Sequence, residues 1–232
     1  MCGIVAVFTK KSYRVNKPVL KKIINTLNHR GPDGEGIEIK DWYGLAHKRL
    51  SIIDLKNSPQ PFNSLDNRYS LIYNGEIYNY IEIRSDLIRM GYKFKSLGDT
   101  EVIINAFDKW GVESFNIFEG MFAFILVDNI KNIAYVVRDQ LGIKPLFYIE
   151  TDEGIIFSSE IKAFLDIKGL TVNEKKIYEQ IMYRYVSGEE TIYNEVKRIK
   201  AGNYIEVNRE AEKRNYEYYN HLKTFSNPKP DI

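Results

Sequence analysis

The chain has 232 residues, of which 44% are hydrophobic and 28% charged, and its formal net charge is +2. This composition is typical of a globular protein in water, and the length suits one large domain or two small ones with a substantial core. Positive and negative side chains are mixed throughout, which argues against a basic face for nucleic acid, and no apolar run approaches the roughly 18 residues of a membrane span. The chain opens without a signal peptide, so we expect a cytoplasmic protein. Its three histidines lie far apart in sequence, so we expect no metal site.

The first eight residues hold the most informative position, because Cys2 is the only cysteine of the chain. Removal of Met1, which generally requires a small second side chain, would place a thiol and a free α-amino group on one residue. An N-terminal amine can act as the base for a nucleophile, and its unperturbed pKa of about 7.7 to 8.0 suits work near neutral pH. A lone cysteine is more often a small buried hydrophobe, so its position alone leaves both interpretations open. The apolar residues at 4–8 predict a buried strand behind it.

A helix and a glycine-rich loop follow this strand. Apolar residues recur at helical spacing between Val19 and Leu27, which predicts an amphipathic helix with Asn16 as its cap. The loop at 29–36 contains three glycines and a proline, and loops of this composition often cover sites.

The next segment brings a charge into an apolar context. A strand is predicted at 42–47, and an extended piece at 49–54 begins with Arg49. Arg49 is either a surface arginine or a planar guanidinium that binds a carboxylate through two parallel hydrogen bonds.

A strand predicted at 69–73 stops at the dipeptide Asn74-Gly75. After a strand, this dipeptide most often forms a tight turn. A turn at a strand end also presents a backbone N–H and a side-chain amide, the two donor types that can stabilise an oxyanion.

Two helices come next, and the second begins near Asp99. Either Asp99 or Thr100 would be the N-cap of that helix. The Asp99 carboxylate could instead accept an ammonium group.

The rest of the chain alternates apolar strands with short helices. Strands are predicted at 121–127, 132–137, 155–158 and 199–207, and helices at 160–165 and 174–185. Several strands lack polar alternation, which is typical of sheets covered on both faces. We therefore predict an α+β fold with two sheets between helical layers.

Nine sequence blocks, taken together, resemble the glutaminase domain of asparagine synthetase, a class II glutamine amidotransferase of the N-terminal nucleophile hydrolase family. The blocks are CGIVAVF at 2–8, HRGPDGEG at 29–36, AHKRLSIIDL at 46–55, QPF at 60–62, YNGEIYNY at 73–80, GDTEVI at 98–103, GMFAF at 120–124, RDQLGIKPLFY at 138–148 and FSSEIKAF at 157–164. Each block alone is weak, but nine in the family's order are specific. The resemblance implies a four-layer αββα sandwich with two mainly antiparallel sheets.

The resemblance also implies a mechanism. Cys2, once terminal, would attack the side-chain amide carbon of L-glutamine and pass its proton to its own α-amine. The Asn74 side-chain amide and the Gly75 backbone N–H would hold the oxyanion. Water would then hydrolyse the thioester to glutamate, with no cofactor.

Recognition of glutamine, on the same resemblance, requires opposite charges at its amino acid end. Arg49 would bind the α-carboxylate, and Glu76 and Asp99 would bind the α-ammonium group. Backbone of the following segment would line the slot: Leu50, Ser51, Ile52 and Ile53.

The resemblance covers residues 1–210, and we predict a linker at 211–232. The chain has no Ser-Gly-Gly-x-Asp-Ser loop, so an ATP-dependent synthetase domain or subunit would have to act as its partner. A homodimer stays open, and the ammonia acceptor is not defined. Two alternatives remain: a non-catalytic docking module of the same fold, and an N-terminal nucleophile amidase that acts on another amide.

Overall fold

A computed structural model describes residues 1–50 and 59–220 of the chain. The strands of these ranges are β1 Gly3–Thr9, β2 Gly34–Ile39, β3 Tyr43–Arg49, β4 Phe62–Asn63, β5 Tyr69–Ile77, β6 Gly120–Asp128, β7 Ile133–Arg138, β8 Phe147–Glu150, β9 Gly154–Ser158, β10 Val196–Arg198, β11 Asn203–Asn208 and β12 Lys213–Glu217. The α-helices are α1 Lys17–Asn25, α2 Tyr80–Arg89, α3 Asp99–Trp110, α4 Ser114–Ile117 and α5 Glu174–Tyr183. Short 3₁₀ turns lie at Asn28–Arg30, Gly111–Glu113 and Ile161–Phe164.

The strands form two six-stranded sheets. The first has the order β10-β8-β9-β1-β3-β2 and the second the order β12-β11-β7-β6-β5-β4. Each pairing in the described part of the chain is antiparallel. The first strand of the chain therefore lies in the middle of its sheet, with β9 on one side and β3 on the other.

The two sheets pack face to face, with helices on both outer faces. Side chains from both sheets share one core, among them Ile4, Leu45, Ile125 and Val136. Helix α1 covers the outer face of the first sheet, and α2 and α3 cover the outer face of the second. The predicted α+β fold with a four-layer αββα sandwich is confirmed.

The two-residue period of a strand decides which side chains reach the space between the sheets. On β1 the inward residues are even-numbered, as Ile4 shows, which places Cys2 on the same side just before the strand. On β5 the inward residues are also even-numbered, as Ile72 shows, which aligns Asn74 and Glu76. The pattern directs the predicted nucleophile and one oxyanion donor into the same space.

The predicted turn at Asn74-Gly75 is wrong, because β5 continues through both residues to Ile77. The register pairs Gly75 with Phe122 of β6. A Cβ atom on Gly75 would lie 2.3 Å from the Met121 carbonyl oxygen, so glycine is required here for the close approach of two strands. The long ladder with β6 overrides the local turn preference of the dipeptide.

The helix and the loop predicted after the first strand have different outcomes. The helix at 19–27 is confirmed as α1, and the Asn16 side chain caps it by accepting a hydrogen bond from the Val19 N–H at 3.2 Å. The predicted loop at 29–36 is only partly a loop, because β2 begins at Gly34 and pairs with β3.

The C-terminal part holds strands beyond those that the sequence predicted, among them β10 and β12. Strand β12 pairs with β11, so the folded region continues past the predicted boundary at 210. Its polar, largely exposed residues Lys-Arg-Asn-Tyr-Glu carry no hydrophobic signal, as is common at sheet edges. The predicted linker from 221 onward lies outside the described residues. Among the helices of the described ranges, none is long and apolar enough to cross a membrane.

Candidate active site

A cavity of about 210 Å³ opens at one end of the space between the sheets. Its lining residues are Met1, Cys2, Arg49, Leu50, Gln60, Tyr73, Asn74, Gly75, Glu76, Asp99, Thr100, Met121 and Lys144. Seven of the predicted site residues are among them: Cys2, Arg49, Leu50, Asn74, Gly75, Glu76 and Asp99. The predicted contacts of Ser51, Ile52 and Ile53 lie outside the described residues.

Cys2 is partly buried and packs against the end of β3. Its Sγ atom accepts a hydrogen bond from the Leu50 N–H at 3.4 Å and lies 3.6 Å from the Leu50 carbonyl oxygen. Burial raises the pKa of the Cys2 thiol, although the Leu50 N–H, the N-terminal charge and the nearby charges of Arg49 and Arg30 oppose that shift. A thiol with a raised pKa is protonated at neutral pH and needs a base to react.

The backbone of Cys2 is held from the other side by Arg30. This buried side chain donates from Nε to the Cys2 carbonyl oxygen at 2.9 Å and from Nη1 to Glu160 Oε1 at 2.7 Å. The positive charge of Arg30 therefore lies beside Cys2, although Arg30 does not line the cavity.

Asn74 is 1% exposed, and its side-chain Nδ2 has no hydrogen-bond partner in the described structure. A buried amide donor without a partner costs roughly 1 to 3 kcal/mol, so such groups are rare in native proteins. Because Asn74 lines the cavity with Cys2, this donor is available to a bound ligand.

The Gly75 N–H reaches the same region along the edge of β5. Phe122, its partner in β6, directs its own N–H and carbonyl toward Asp139. Gly75 and Phe122 are therefore a non-hydrogen-bonded pair, and the Gly75 N–H points away from β6. The neighbouring outward N–H groups are occupied, that of Tyr73 by Gln60 Oε1 at 2.6 Å and that of Ile77 by Asp99 Oδ2 at 3.1 Å.

Asp99 is the first residue of α3, and Gly98, not Asp99 or Thr100, occupies the N-cap position. Besides the Ile77 N–H, its carboxylate accepts a hydrogen bond from the Tyr73 hydroxyl at 2.7 Å. Burial raises the pKa of Asp99, and the charge of Glu76 adds to the rise, while the two hydrogen bonds oppose it. The cap interpretation is wrong for this residue, because its side chain turns toward the cavity and β5.

Arg49 ends β3 and lines the same cavity as the carboxylates of Asp99 and Glu76. Its backbone carbonyl accepts a hydrogen bond from the Asp33 N–H at 2.9 Å, which ties the glycine-rich loop to this strand end. The cavity thus has one guanidinium and two carboxylates around a thiol and an unpartnered amide.

Sequence reasoning assigned no site role to Gln60 or to Lys144. Gln60 orients β5 through Tyr73 and lines the cavity. Lys144 is 6% exposed and also lines it, and its backbone is fixed by Arg138 and Asp139. The QPF and RDQLGIKPLFY blocks carried the signal for both residues. Within the described ranges, no group of three or more His, Cys, Asp or Glu side chains could hold a metal ion.

The arrangement can bind a zwitterionic amino acid and present a carbonyl group to a thiol. Charges of both signs suit a carboxylate and an ammonium group, while Asn74 Nδ2 and the Gly75 N–H suit a developing oxyanion.

The fold has a close counterpart among solved structures. Glutamine phosphoribosylpyrophosphate amidotransferase from Bacillus subtilis aligns with a TM-score of 0.68 at 18% identity, over 94% of this chain and 49% of that chain. At this identity the likeness shows the fold alone, an α+β sandwich.

The family follows from sequence. The glutamine amidotransferase domain family matches residues 1–219, and the chain belongs to it. It is similar to asparagine synthetase [glutamine-hydrolyzing] 1 of Bacillus subtilis (strain 168), at 33% identity over 89% of this chain and 33% of the relative. Asparagine synthetase [glutamine-hydrolyzing] 2 of the same organism matches at 34% identity over 90% of this chain and 28% of the relative. The chain thus spans about a third of the length of these curated relatives.

Proposed function

We propose that this domain hydrolyses L-glutamine to glutamate and ammonia through a thioester on Cys2. We further propose that the ammonia passes to an ATP-dependent synthetase domain or subunit of the asparagine synthetase type. The observation that carries the first part is the buried Asn74 amide, which has no partner in the described structure and lines the cavity beside the only cysteine of the chain.

The reaction begins with removal of Met1, which leaves the α-amine on Cys2. The Sγ atom attacks the side-chain amide carbon of glutamine, and the thiol proton moves to the α-amine. The raised pKa of the buried thiol makes this base necessary at neutral pH. The amine then protonates the leaving nitrogen, the C–N bond breaks and ammonia departs.

The oxyanion formed in this step would be held by Asn74 Nδ2 and the Gly75 N–H. Removal of one such donor costs roughly 2.7 to 4 kcal/mol in a protease. Attack of water on the thioester passes through a second oxyanion at the same position. Glutamate leaves and the Cys2 thiol is restored.

Substrate selection uses the charged wall of the cavity. Arg49 would bind the α-carboxylate as a fork, and Asp99 and Glu76 would bind the α-ammonium group. The Asp99 carboxylate is already aligned by Tyr73 and the Ile77 N–H, so little ordering is needed on binding.

The partner proposal is supported by length. The relatives named as asparagine synthetases are about three times as long as the matched region. The remaining two thirds would contain the part that uses ATP and that binds the acceptor of the ammonia.

The test combines intact mass with glutamate release by the purified chain. We expect a chain without Met1 to hydrolyse glutamine in preference to asparagine and to glutaramic acid, which lacks the α-ammonium group. Cys2→Ala should remove this activity with an unchanged melting temperature. Normal turnover by a chain that keeps Met1 would contradict the terminal-amine mechanism.

Two further outcomes correspond to the alternative functions. Preference for another amide would favour a general amidase. Failure of a processed, folded chain to hydrolyse any amide would favour a docking module.

A further inference from the structure

Two successive residues after β9 hold the start of β1, Ser159 by direct hydrogen bonds and Glu160 through Arg30. Ser159 donates from its backbone N–H to the Ile4 carbonyl at 3.1 Å and accepts from the Ile4 N–H on its Oγ at 3.1 Å. Glu160, the next residue, accepts a hydrogen bond from Arg30, which in turn donates to the Cys2 carbonyl. The two neighbours therefore fix residues on both sides of Gly3.

Glu160 is the anionic partner of a buried cation. The Arg30 side chain is 7% exposed, and its Nη2 atom is buried without a partner in the described structure. The carboxylate of Glu160, 26% exposed, also lies 3.0 Å from His29 Nε2. The Arg30 guanidinium is therefore held on the Cys2 carbonyl by the charge-assisted hydrogen bond that it donates to Glu160. Loss of the bond to Glu160 would leave a buried guanidinium free to rotate.

A terminal residue has few restraints on its amine. Once Met1 is removed, no peptide group precedes Cys2, and rotation about its Cα–C bond swings the amine relative to the chain. Two contacts limit this rotation: Arg30 on the carbonyl oxygen and the Leu50 N–H on the sulfur. Rotation about Cα–C moves the amine and the Cβ atom together, and rotation about Cα–Cβ moves the sulfur, so the two contacts jointly fix where the amine and the thiol lie in the site.

We propose that Glu160 is a positioning residue for Cys2, which acts by holding the Arg30 guanidinium on the Cys2 carbonyl. This inference rests on the proposed function, because the alignment of thiol and amine matters only if Cys2 is the nucleophile. Glu160 does not line the cavity, so its effect should fall on turnover and not on glutamine binding.

The first test is Glu160→Gln, which keeps an oxygen acceptor and removes the charge. We expect kcat for glutamine to fall roughly tenfold or more, the size of one charge-assisted hydrogen bond, with KM changed less than about twofold. Alkylation of Cys2 by iodoacetamide at pH 7 should slow several-fold. The matched control is Glu35→Gln, since Glu35 likewise contacts two side chains, Lys21 and Lys48, and neither Glu35 nor these lysines line the cavity.

The second test asks whether Glu160 acts through Arg30. Arg30→Lys keeps the charge but loses the fork that contacts Cys2 and Glu160 together. The double variant should be no slower than Arg30→Lys alone, because residues of one chain of contacts are non-additive. If the fold-decreases in kcat of the two single variants multiplied in the double variant, the proposal would be overturned.

Two other results would also overturn it. One is a wild-type kcat and alkylation rate for Glu160→Gln. The other is a melting temperature far below that of Glu35→Gln with kcat and KM both altered, the pattern of a structural role. Iodoacetamide reports on the thiol without glutamine, so a wild-type chain that fails to hydrolyse glutamine would sink the proposed function while the alkylation test still decides on Glu160.

Discussion

The two ends of the space between the sheets are built from the same two strands, β3 and β5, yet they treat buried polar groups in opposite ways. At one end, Tyr43 of β3 and Ser70 of β5 meet the side chain of Asn129. At the other end, four residues further along β5, Asn74 faces the Cys2 cavity. We call the first the closed end and the second the open end.

Polar groups of the closed end have several partners each. The Tyr43 hydroxyl lies within hydrogen-bond distance of Glu38, Ser70 and Asn129, at 3.1, 3.2 and 2.8 Å. The Asn129 Nδ2 atom donates to the carbonyl oxygens of Asn67 and Arg68. Burial raises the pKa of Tyr43, which therefore stays a neutral donor at physiological pH.

The open end leaves the Asn74 Nδ2 donor without a partner in the described structure. The buried Asn74 and the partly buried Asn129 thus differ in whether their side-chain Nδ2 atom donates to the protein, and the atom without a protein acceptor belongs to the residue that lines the cavity. At the closed end, saturation of polar groups serves stability, whereas at the cavity the unsaturated Asn74 donor leaves a hydrogen bond that a ligand can complete.

The largest effect should come from Asn74→Ala. We expect kcat for glutamine hydrolysis to fall by roughly 10² to 10³, because one oxyanion donor is lost. The free energy of unfolding should stay the same or rise, since an unsatisfied buried group is removed. Steady-state kinetics and urea unfolding measure the two quantities.

Its matched control is Asn129→Ala at the closed end. There the loss should fall on stability, by about 1 to 3 kcal/mol, because the Tyr43 hydroxyl and two backbone carbonyls lose a partner. Glutamine turnover should remain. If Asn74→Ala behaved like Asn129→Ala, the contrast between the ends would be false.

His47, on β3 between the two ends, gives the next effect. It is 1% exposed, and its Nε2–H donates to the Tyr73 carbonyl at 3.1 Å. Burial lowers the pKa of His47 from 6.5 to about 4. As pH falls, the unfolded chain therefore binds a proton at His47 before the folded chain does. The free energy of unfolding should decrease below pH 6.5, and the loss should reach about 2 kcal/mol at pH 5.

Urea unfolding at pH 7 and pH 5 measures this drop. His47→Gln keeps a donor but cannot titrate, so it should lose less stability over the same interval. An equal slope in the wild-type protein and in His47→Gln would exclude His47 as the source.

Arg49→Lys should weaken glutamine binding at the open end. The ammonium group of lysine replaces a guanidinium that can donate two parallel hydrogen bonds to a carboxylate. We expect KM to rise about tenfold with less change in kcat. Arg68→Lys near the closed end, where Arg68 pairs with Asp128, is the control and should leave KM unchanged. An unaltered KM for Arg49→Lys would refute its role with the carboxylate.

The smallest effect concerns the pH dependence of kcat/KM. In the proposed binding mode the α-ammonium group pairs with ionised Asp99, whose pKa is raised mainly by burial. As pH falls, kcat/KM should therefore decline at a pH above the ordinary aspartate value of about 3.9. Asp99→Asn should lower kcat/KM a few-fold at neutral pH, by roughly the worth of one charged hydrogen bond, and remove this acid limb.

The control for Asp99 lies on the same helix. Asp108 of α3 accepts hydrogen bonds from the Tyr69 and Tyr92 hydroxyls, away from the cavity. Asp108→Asn should keep the acid limb. Persistence of that limb in Asp99→Asn would assign it to another group.

Much of the fold could be predicted because the strands and helices have strong periodic patterns. Helix α1 and the apolar strands β6 and β7 each bury a continuous face, which sequence spacing records directly. The polar edge strand β12 and the glycine-rich β2 depend on pairing with neighbours and carry no such signal.

The candidate site was predicted by residue type but not by geometry. The Asn74-Gly75 dipeptide has a local preference for a turn, and only the distant β6 keeps it extended. Likewise, nothing in the sequence near Glu160 indicates that it reaches Arg30, since the two are 130 residues apart. Long-range pairing supplies this information.

The outward edge of β5 has one more consequence. Strand β4 covers only the start of that edge, and beyond it the N–H and the carbonyl of Tyr73 are both taken by side chains, those of Gln60 and His47. A foreign strand that approached this rim would find positions on both sides of Gly75 already filled, at Tyr73 and at the Ile77 N–H. The molecule can thus keep an accessible backbone amide at Gly75 for a small ligand while resisting edge-to-edge aggregation.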